Sequence, residues 1–167
     1  MTKSEDDLKA AFAGESQANR KYLAFAKKAD EEGFPNVAVL FRAAAAAETV
    51  HAHAHLRQLK GIKTTVENLK EAVNGEHYEL SQMYPQFIED AKDDGNKGAD
   101  MSFNFALAAE KIHHQLYEEA LKAVEEGKDR EAKDVYVCSV CGMTFEGEAP
   151  YKCPVCNAPK EKINIIN

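Results

Sequence analysis

From Ser4 to about Glu126 the apolar residues return every three or four positions, the spacing of one helix face, and only two prolines interrupt them. Three breaks, "EEGFPN", "KGIKTT" and "DDGNKG", divide the region into four amphipathic helices, because a glycine after the last apolar position is a common helix stop. Thr64 and Glu67 have the spacing of a capping box that would open the third helix. Beyond "EEGKDREAKD" the periodicity is lost and Cys, Pro, Gly and aromatic residues become frequent, which places a domain boundary near residue 133. The expected fold is mainly α: a four-helix bundle over residues 1–132, then a small metal-binding domain of strands and loops over 133–167.

The helical region repeats itself. "GFPNVAVLFRAAAAAETVH", from Gly33, overlies "GNKGADMSFNFALAAEKIH", from Gly95, at an offset of 62, pairing Phe41 with Phe103, Glu48 with Glu110 and His51 with His113. One helix earlier "AGES" overlies "NGEH" at an offset of 61, pairing Glu15 with Glu76. All four of these glutamates stand mid-stripe where an apolar residue belongs, and Glu79 lies one turn beyond Glu76. Burying several carboxylates together is costly, because each loses hydration and repels the others. Few lysines or arginines lie on these stripes, so a cation cluster is the economical remedy.

Glu-x-x-His puts a carboxylate and an imidazole one turn apart on one helix face. Two such pairs, Glu48/His51 and Glu110/His113, with a lone glutamate from each remaining helix, form the di-iron or di-manganese constellation of helical bundles. At about 100° per residue His53 points away from this face, while His55 lies one turn past His51 and is expected to pack there. His77 and His114 flank ligand positions and are expected to face outward. Glu79 has only Ala18 opposite it in the repeat, so one metal has a spare carboxylate within reach. Such a site can exchange imidazole for carboxylate as the metal charge rises, since harder Fe(III) favours oxygen.

Composition narrows the function. A net charge of −7 with 29% charged residues offers no concentrated basic face for nucleic acid. The acidic start lacks the order of a secretion signal, and no run approaches the ~18 apolar residues of a membrane span, so a cytoplasmic protein is expected. All four cysteines form two CxxC pairs, Cys138/Cys141 and Cys153/Cys156, and in a reducing compartment they predict a tetrahedral metal site. Spacing leaves iron or zinc open. A one-electron Fe(Cys)4 centre would supply electrons to the helical site, and Tyr136, Phe145 and Tyr151 are expected to pack around it.

The motifs "AFAGESQANRKY", "AAAETVHAHAH", "NGEHYELSQMYP", "AAEKIHH", "YVCSVCG" and "KCPVCNAP" together resemble the rubrerythrin family along essentially the whole chain. The resemblance implies a ferritin-like four-helix bundle with a non-haem di-iron centre, followed by a rubredoxin-like Fe(Cys)4 domain. It also implies reduction of hydrogen peroxide to water in oxidative-stress protection. Electrons would come from rubredoxin or an NAD(P)H-dependent reductase. Carried over by residue, Glu48 and Glu110 correspond to bridging carboxylates, Glu15 to a terminal ligand of the first iron, and Glu76 with His113 to those of the second. Glu79 and His51 correspond to the pair that trade places on the first iron, and Tyr22 and Tyr84 to tyrosines hydrogen-bonded around the site. Zinc in either site, iron storage with ferroxidase activity, and a redox-inactive zinc-ribbon interaction protein are the competing readings.

Ferritin-like bundles join their second and third helices by a crossover running the bundle's length. Here only Gly61, Ile62 and Lys63 are expected between them. A homodimer that exchanges helical hairpins is therefore expected, with an up-down-up-down monomer as the alternative.

Overall fold

The structure, a computed structural model, describes residues 2–166. Its chain forms two compact units that divide between Lys63 and Thr64. The first is a helical hairpin of α1 (Lys3–Glu31) and α2 (Pro35–Gln58). Thr2 caps α1 in a reciprocal capping box with Glu5. At the turn Gly33 takes φ +82°, a conformation that costs a residue without Cβ nothing, and Phe34 N–H reaches back to the Ala29 carbonyl at 2.8 Å. The helices meet on small residues: Ala26, Ala29 and Ala38 are buried together, with Phe41 against them. Farther along, buried Asn19 donates to the Ala45 carbonyl at 2.6 Å and to Thr49 Oγ1 at 2.8 Å. That polar tie satisfies the buried amide.

The second unit opens with the capping box expected at Thr64 and Glu67. Its first helix is one continuous run in three parts: α3 (Thr65–Tyr78), a π-helical turn (Glu79–Met83) and α4 (Tyr84–Asp93). The four-helix expectation thus holds with a local interruption. After Gly95, at φ +65°, α5 (Lys97–Glu125) completes the second hairpin, and Asn96 N–H bonds the Ala91 carbonyl at 2.8 Å as Phe34 does in the first. The connector between the hairpins is residues 59–64, longer than the three residues expected, because α2 stops at Gln58.

Three short antiparallel strands follow, β1 (Val135–Cys138), β2 (Thr144–Glu146) and β3 (Ile163–Ile166), in the order β2-β1-β3. Val137 pairs with Thr144 and Cys138 with Ile163. Cys138, Cys141, Cys153, Ala158 and Ile163 form the core of this domain, with Tyr136, Phe145 and Met143 packed against them. Tyr151 is not among them: it is 89% exposed, and Phe105 from α5 packs on the core instead. No described helix is long and apolar enough to cross a membrane.

Candidate metal centres

Each hairpin gathers one carboxylate–histidine group. In the first, ligand atoms of Glu15, Glu48 and His51 lie within 4.8 Å of one another, and His51 Nδ1 is 3.0 Å from Glu48 Oε2. In the second, Glu76, Glu110 and His113 do the same, with His113 Nδ1 2.6 Å from Glu110 Oε2 and 3.9 Å from Glu76 Oε2. The helix repeat of 3.6 residues stacks each Glu-x-x-His pair on one face, and the hairpin turn brings the lone glutamate opposite. Glu79 does not join the group of three. It stands at the head of the π turn, where its carboxyl responds to the charges of both Glu110 and His113.

Electrostatics separate the two groups. Burial, a hydrogen bond with Glu110 and the charges of Glu110 and Glu79 push the Glu76 carboxyl up to about 8. Burial and the Glu110 charge also raise Glu79. Burial raises the Tyr84 hydroxyl, with Glu79, Glu110 and Glu76 adding to it. In the first hairpin the hydrogen bond shared by Glu15 and Glu48 raises Glu15 and lowers Glu48. Crowded carboxylates of this kind fit a divalent metal pair. Glu76 Oε2 is buried without a hydrogen-bond partner, a costly state that a cation would relieve.

The aromatic residues repeat as faithfully as the ligands. Tyr22 lies 6.3 Å from Phe25 and 6.2 Å from Phe41 by ring centroids, and Phe25 lies 5.6 Å from Phe41. Tyr84, Phe87 and Phe103 give 6.3, 6.3 and 5.5 Å for the same contacts. His53 is exposed and His55 half-buried, as expected. His77 is exposed, but His114 is only 19% exposed, since its ring packs on His77 with centroids 5.5 Å apart.

In the C-terminal domain Cys138 Sγ is 3.6 Å from Cys156 Sγ, and Cys141 Sγ is 3.5 Å from Cys153 Sγ. Four thiolates at ~2.3 Å from a tetrahedral metal sit about 3.8 Å apart, so the quartet is close to metal-binding geometry. Two matching turns shape it. Gly142 N–H bonds the Cys138 carbonyl at 2.8 Å, and Asn157 N–H bonds that of Cys153 at 2.9 Å, both from left-handed backbone. Burial disfavours the Cys138 thiolate, but hydrogen bonds from the Cys141 and Val140 backbone outweigh it and bring the thiol down to about 7. Burial raises Cys141 and Cys156.

Two features escaped the sequence reading. The π turn was one, although the change of offset from 61 to 62 was its signal. The other is Thr144, whose Oγ1 lies 2.8 Å from His113 Nε2. Nothing in the local sequence marks that contact, since it joins residues 31 apart in the chain.

A carboxylate–histidine site on helical hairpins, in a chain that ends in a four-cysteine metal knuckle, defines a ferritin-like di-iron protein with a rubredoxin-like domain. The rubrerythrin family profile matches residues 6–121, and the profile of the rubrerythrin rubredoxin-like domain matches residues 136–164. Rubrerythrin-2 of Clostridium acetobutylicum is 37% identical, across 96% of this chain and 95% of its own. Nigerythrin of Nitratidesulfovibrio vulgaris is also 37% identical, across 93% of this chain and 83% of its own. A solved structure of nigerythrin in a mixed-valent state covers 99% of this chain and 88% of its own, with 35% identity and a TM-score of 0.56. The chain belongs to the rubrerythrin family. It carries that family's di-iron carboxylate site and its rubredoxin-like four-cysteine site.

Proposed function

We propose that the chain is a cytoplasmic peroxide reductase, converting hydrogen peroxide to water with electrons that enter through the cysteine site. What carries this reading is the joining, in one chain, of a four-thiolate site suited to one-electron transfer and paired carboxylate–histidine groups suited to two metals. All four cysteines gather in one metal-ligand quartet, the use of cysteine that suits a reducing compartment. Nigerythrin structures described as mixed-valent and as all-ferrous support redox change of iron in a related site. We assign residues 1–132 to the di-iron domain and 133–167 to the electron-transfer domain.

In this reading Glu48 and Glu110 would be the carboxylates shared by two metals, Glu15 would help hold the first, and Glu76 with His113 would help hold the second. His51 and Glu79 would be the alternating ligands of the first. When bound, the iron pair supplies the two electrons that break the O–O bond. The chain's own residues do the rest. Tyr84, its pKa raised, keeps its proton and can donate a hydrogen bond beside Glu79, Glu110 and Glu76. Tyr22 occupies the matching place in the first hairpin. Glu76, its carboxyl raised to about 8, can hold a proton at the site, and each peroxide takes up two protons and two electrons to yield two waters.

We also infer a homodimer that exchanges hairpins. A helix of about 24 residues spans about 36 Å, whereas six or seven extended residues reach only about 23 Å, too short for a lengthwise crossover within one chain. Sedimentation showing a monomer with a full di-iron site overturns that assembly. Rubredoxin or an NAD(P)H-dependent reductase fits as the donor.

The decisive test reduces the iron-loaded protein without oxygen and mixes it with one equivalent of hydrogen peroxide or of dissolved oxygen, following the visible absorbance of Fe(Cys)4. Colour returning within the first second with peroxide, and far more slowly with oxygen, is the expected result. A centre that stays reduced with peroxide overturns the reading in favour of iron storage, and a colourless protein in favour of a zinc ribbon.

A further inference from the structure

We propose that Thr144 is a positioning residue that holds His113 from behind and so strengthens metal binding at Glu76, Glu110 and His113. This rests on the reading of those three residues as metal ligands. The ring of His113 is gripped on both sides: Nδ1 faces Glu110 Oε2 at 2.6 Å and Nε2 faces Thr144 Oγ1 at 2.8 Å. Thr144 Oγ1 also lies 3.4 Å from the Gly142 carbonyl, to which it can donate while it accepts from Nε2–H. That bond fixes which ring nitrogen carries the proton and turns Nδ1 toward the carboxylates. Outer partners of this kind commonly govern how well a histidine binds metal.

Thr144 owes its place to the knuckle. It lies three residues after Cys141, pairs with Val137 at the start of β2 and is 7% exposed. Phe105, on the same α5 as His113, packs on the cysteine core and fixes the other side of the junction. A domain this small gains much of its order from its metal, so the fold that places Thr144 is one the knuckle metal would steady. His51, the repeat partner of His113, has Glu48 at Nδ1, and no second partner is found for it among the described residues. Its side chain is 55% exposed against 31% for His113. The histidine assigned to a stationary role is therefore the tethered one.

The test uses the full chain with one equivalent of zinc in the knuckles and titrates Co(II) into the helical site, reading its visible bands. Thr144→Val should weaken Co(II) binding about tenfold, within the range for outer-shell partners of metal-bound histidine, while zinc retention is unchanged. Thr144→Ser, which keeps the hydroxyl, should bind within about twofold of the parent. In ¹⁵N-resolved NMR of the zinc-filled, cobalt-free chain, a slowly exchanging His113 Nε2–H should appear in the parent and in Thr144→Ser but not in Thr144→Val. Equal Co(II) affinity in the parent and Thr144→Val overturns the inference, as does a Thr144→Ser chain that fails like Thr144→Val. A parent chain that takes up no Co(II) beyond its zinc overturns the metal-site reading itself, and the inference with it.

Discussion

The two helical hairpins are the same device built twice, and they differ by one residue. From Gly14–Glu15 to Gly75–Glu76 the repeat runs at an offset of 61; from Tyr22 to Tyr84, and onward through the aromatic triads and both Glu-x-x-His pairs, it runs at 62. The extra residue falls between these points, where α1 is unbroken and the second hairpin has its π turn at Glu79–Met83. A π turn absorbs one added residue by widening locally while the helix on either side keeps its faces. Metal-group and aromatic geometry thus survive at both ends, and the change of register is confined to the segment that bears Glu79. The two hairpins carry matched ligand groups, and one residue of register makes them unequal.

The sharpest way to break the comparison is to remove a residue the hairpins share. Glu48→Ala and Glu110→Ala should each abolish binding of the second metal and cut peroxide turnover by about a hundredfold or more, since each removes a proposed bridge. Metal content and anaerobic peroxide consumption measure this. A chain that keeps two metals after either change would show that the hairpins are not equivalent halves. A smaller loss is expected from Glu79→Ala, which makes the second hairpin resemble the first at Ala18. Both metals should stay bound while turnover falls about tenfold. Loss of a metal would instead make Glu79 a permanent ligand rather than an exchanging one.

Much of this was legible in the chain because helical spacing and a repeat are local signals. Glu15, Glu48, Glu76, Glu110 and the two histidines were found as polar interruptions of apolar stripes, and the structure gathers them in threes. The cysteine quartet was plainer still, since CxxC spacing dictates a knuckle whatever surrounds it. What the sequence hid depends on tertiary contact. Thr144 is an ordinary strand residue until the knuckle is laid against α5, and nothing local pairs Asn19 with the Ala45 carbonyl and Thr49 Oγ1 of α2. Tyr151 misled because aromatic residues near cysteines usually pack inward, yet here Phe105 contacts the core and Tyr151 faces solvent.

Deleting Ser81 from the π turn should sharpen the contrast without destroying the fold, because α1 already shows that the shorter register makes a good helix. The expected gain is about 0.5–2 kcal/mol of stability, as for other changes that regularise an element kept for function. For a chain of this size that raises Tm by roughly 2–4 °C per kcal/mol. Turnover should fall together with the altered reach of Glu79. A variant that loses stability and activity together would mean that the π turn is needed for packing and not only for placing Glu79.

The smallest effect is a difference in pH response between hairpins whose helical site is empty and whose knuckles hold zinc. The Glu76 carboxyl is pushed up to about 8 in the folded chain, against 4.5 as its ordinary value, so between those pH values the folded state holds a proton the unfolded state has released. Stability contributed by that proton is complete below pH 4.5 and is lost as pH rises through about 8. Glu79 shifts in the same direction. In the first hairpin the raised Glu15 is opposed by the lowered Glu48, whose contribution is present above its ordinary pKa and lost as pH falls. The second hairpin therefore carries most of the slope, and Tm should fall from about pH 5.5 to about pH 8. Glu76→Gln should flatten that fall and Glu15→Gln should leave most of it. Adding Mn(II) should reverse it, because metal binding requires the carboxylate that proton loss creates. An unchanged slope in Glu76→Gln would place the responsible group elsewhere and remove this distinction between the hairpins.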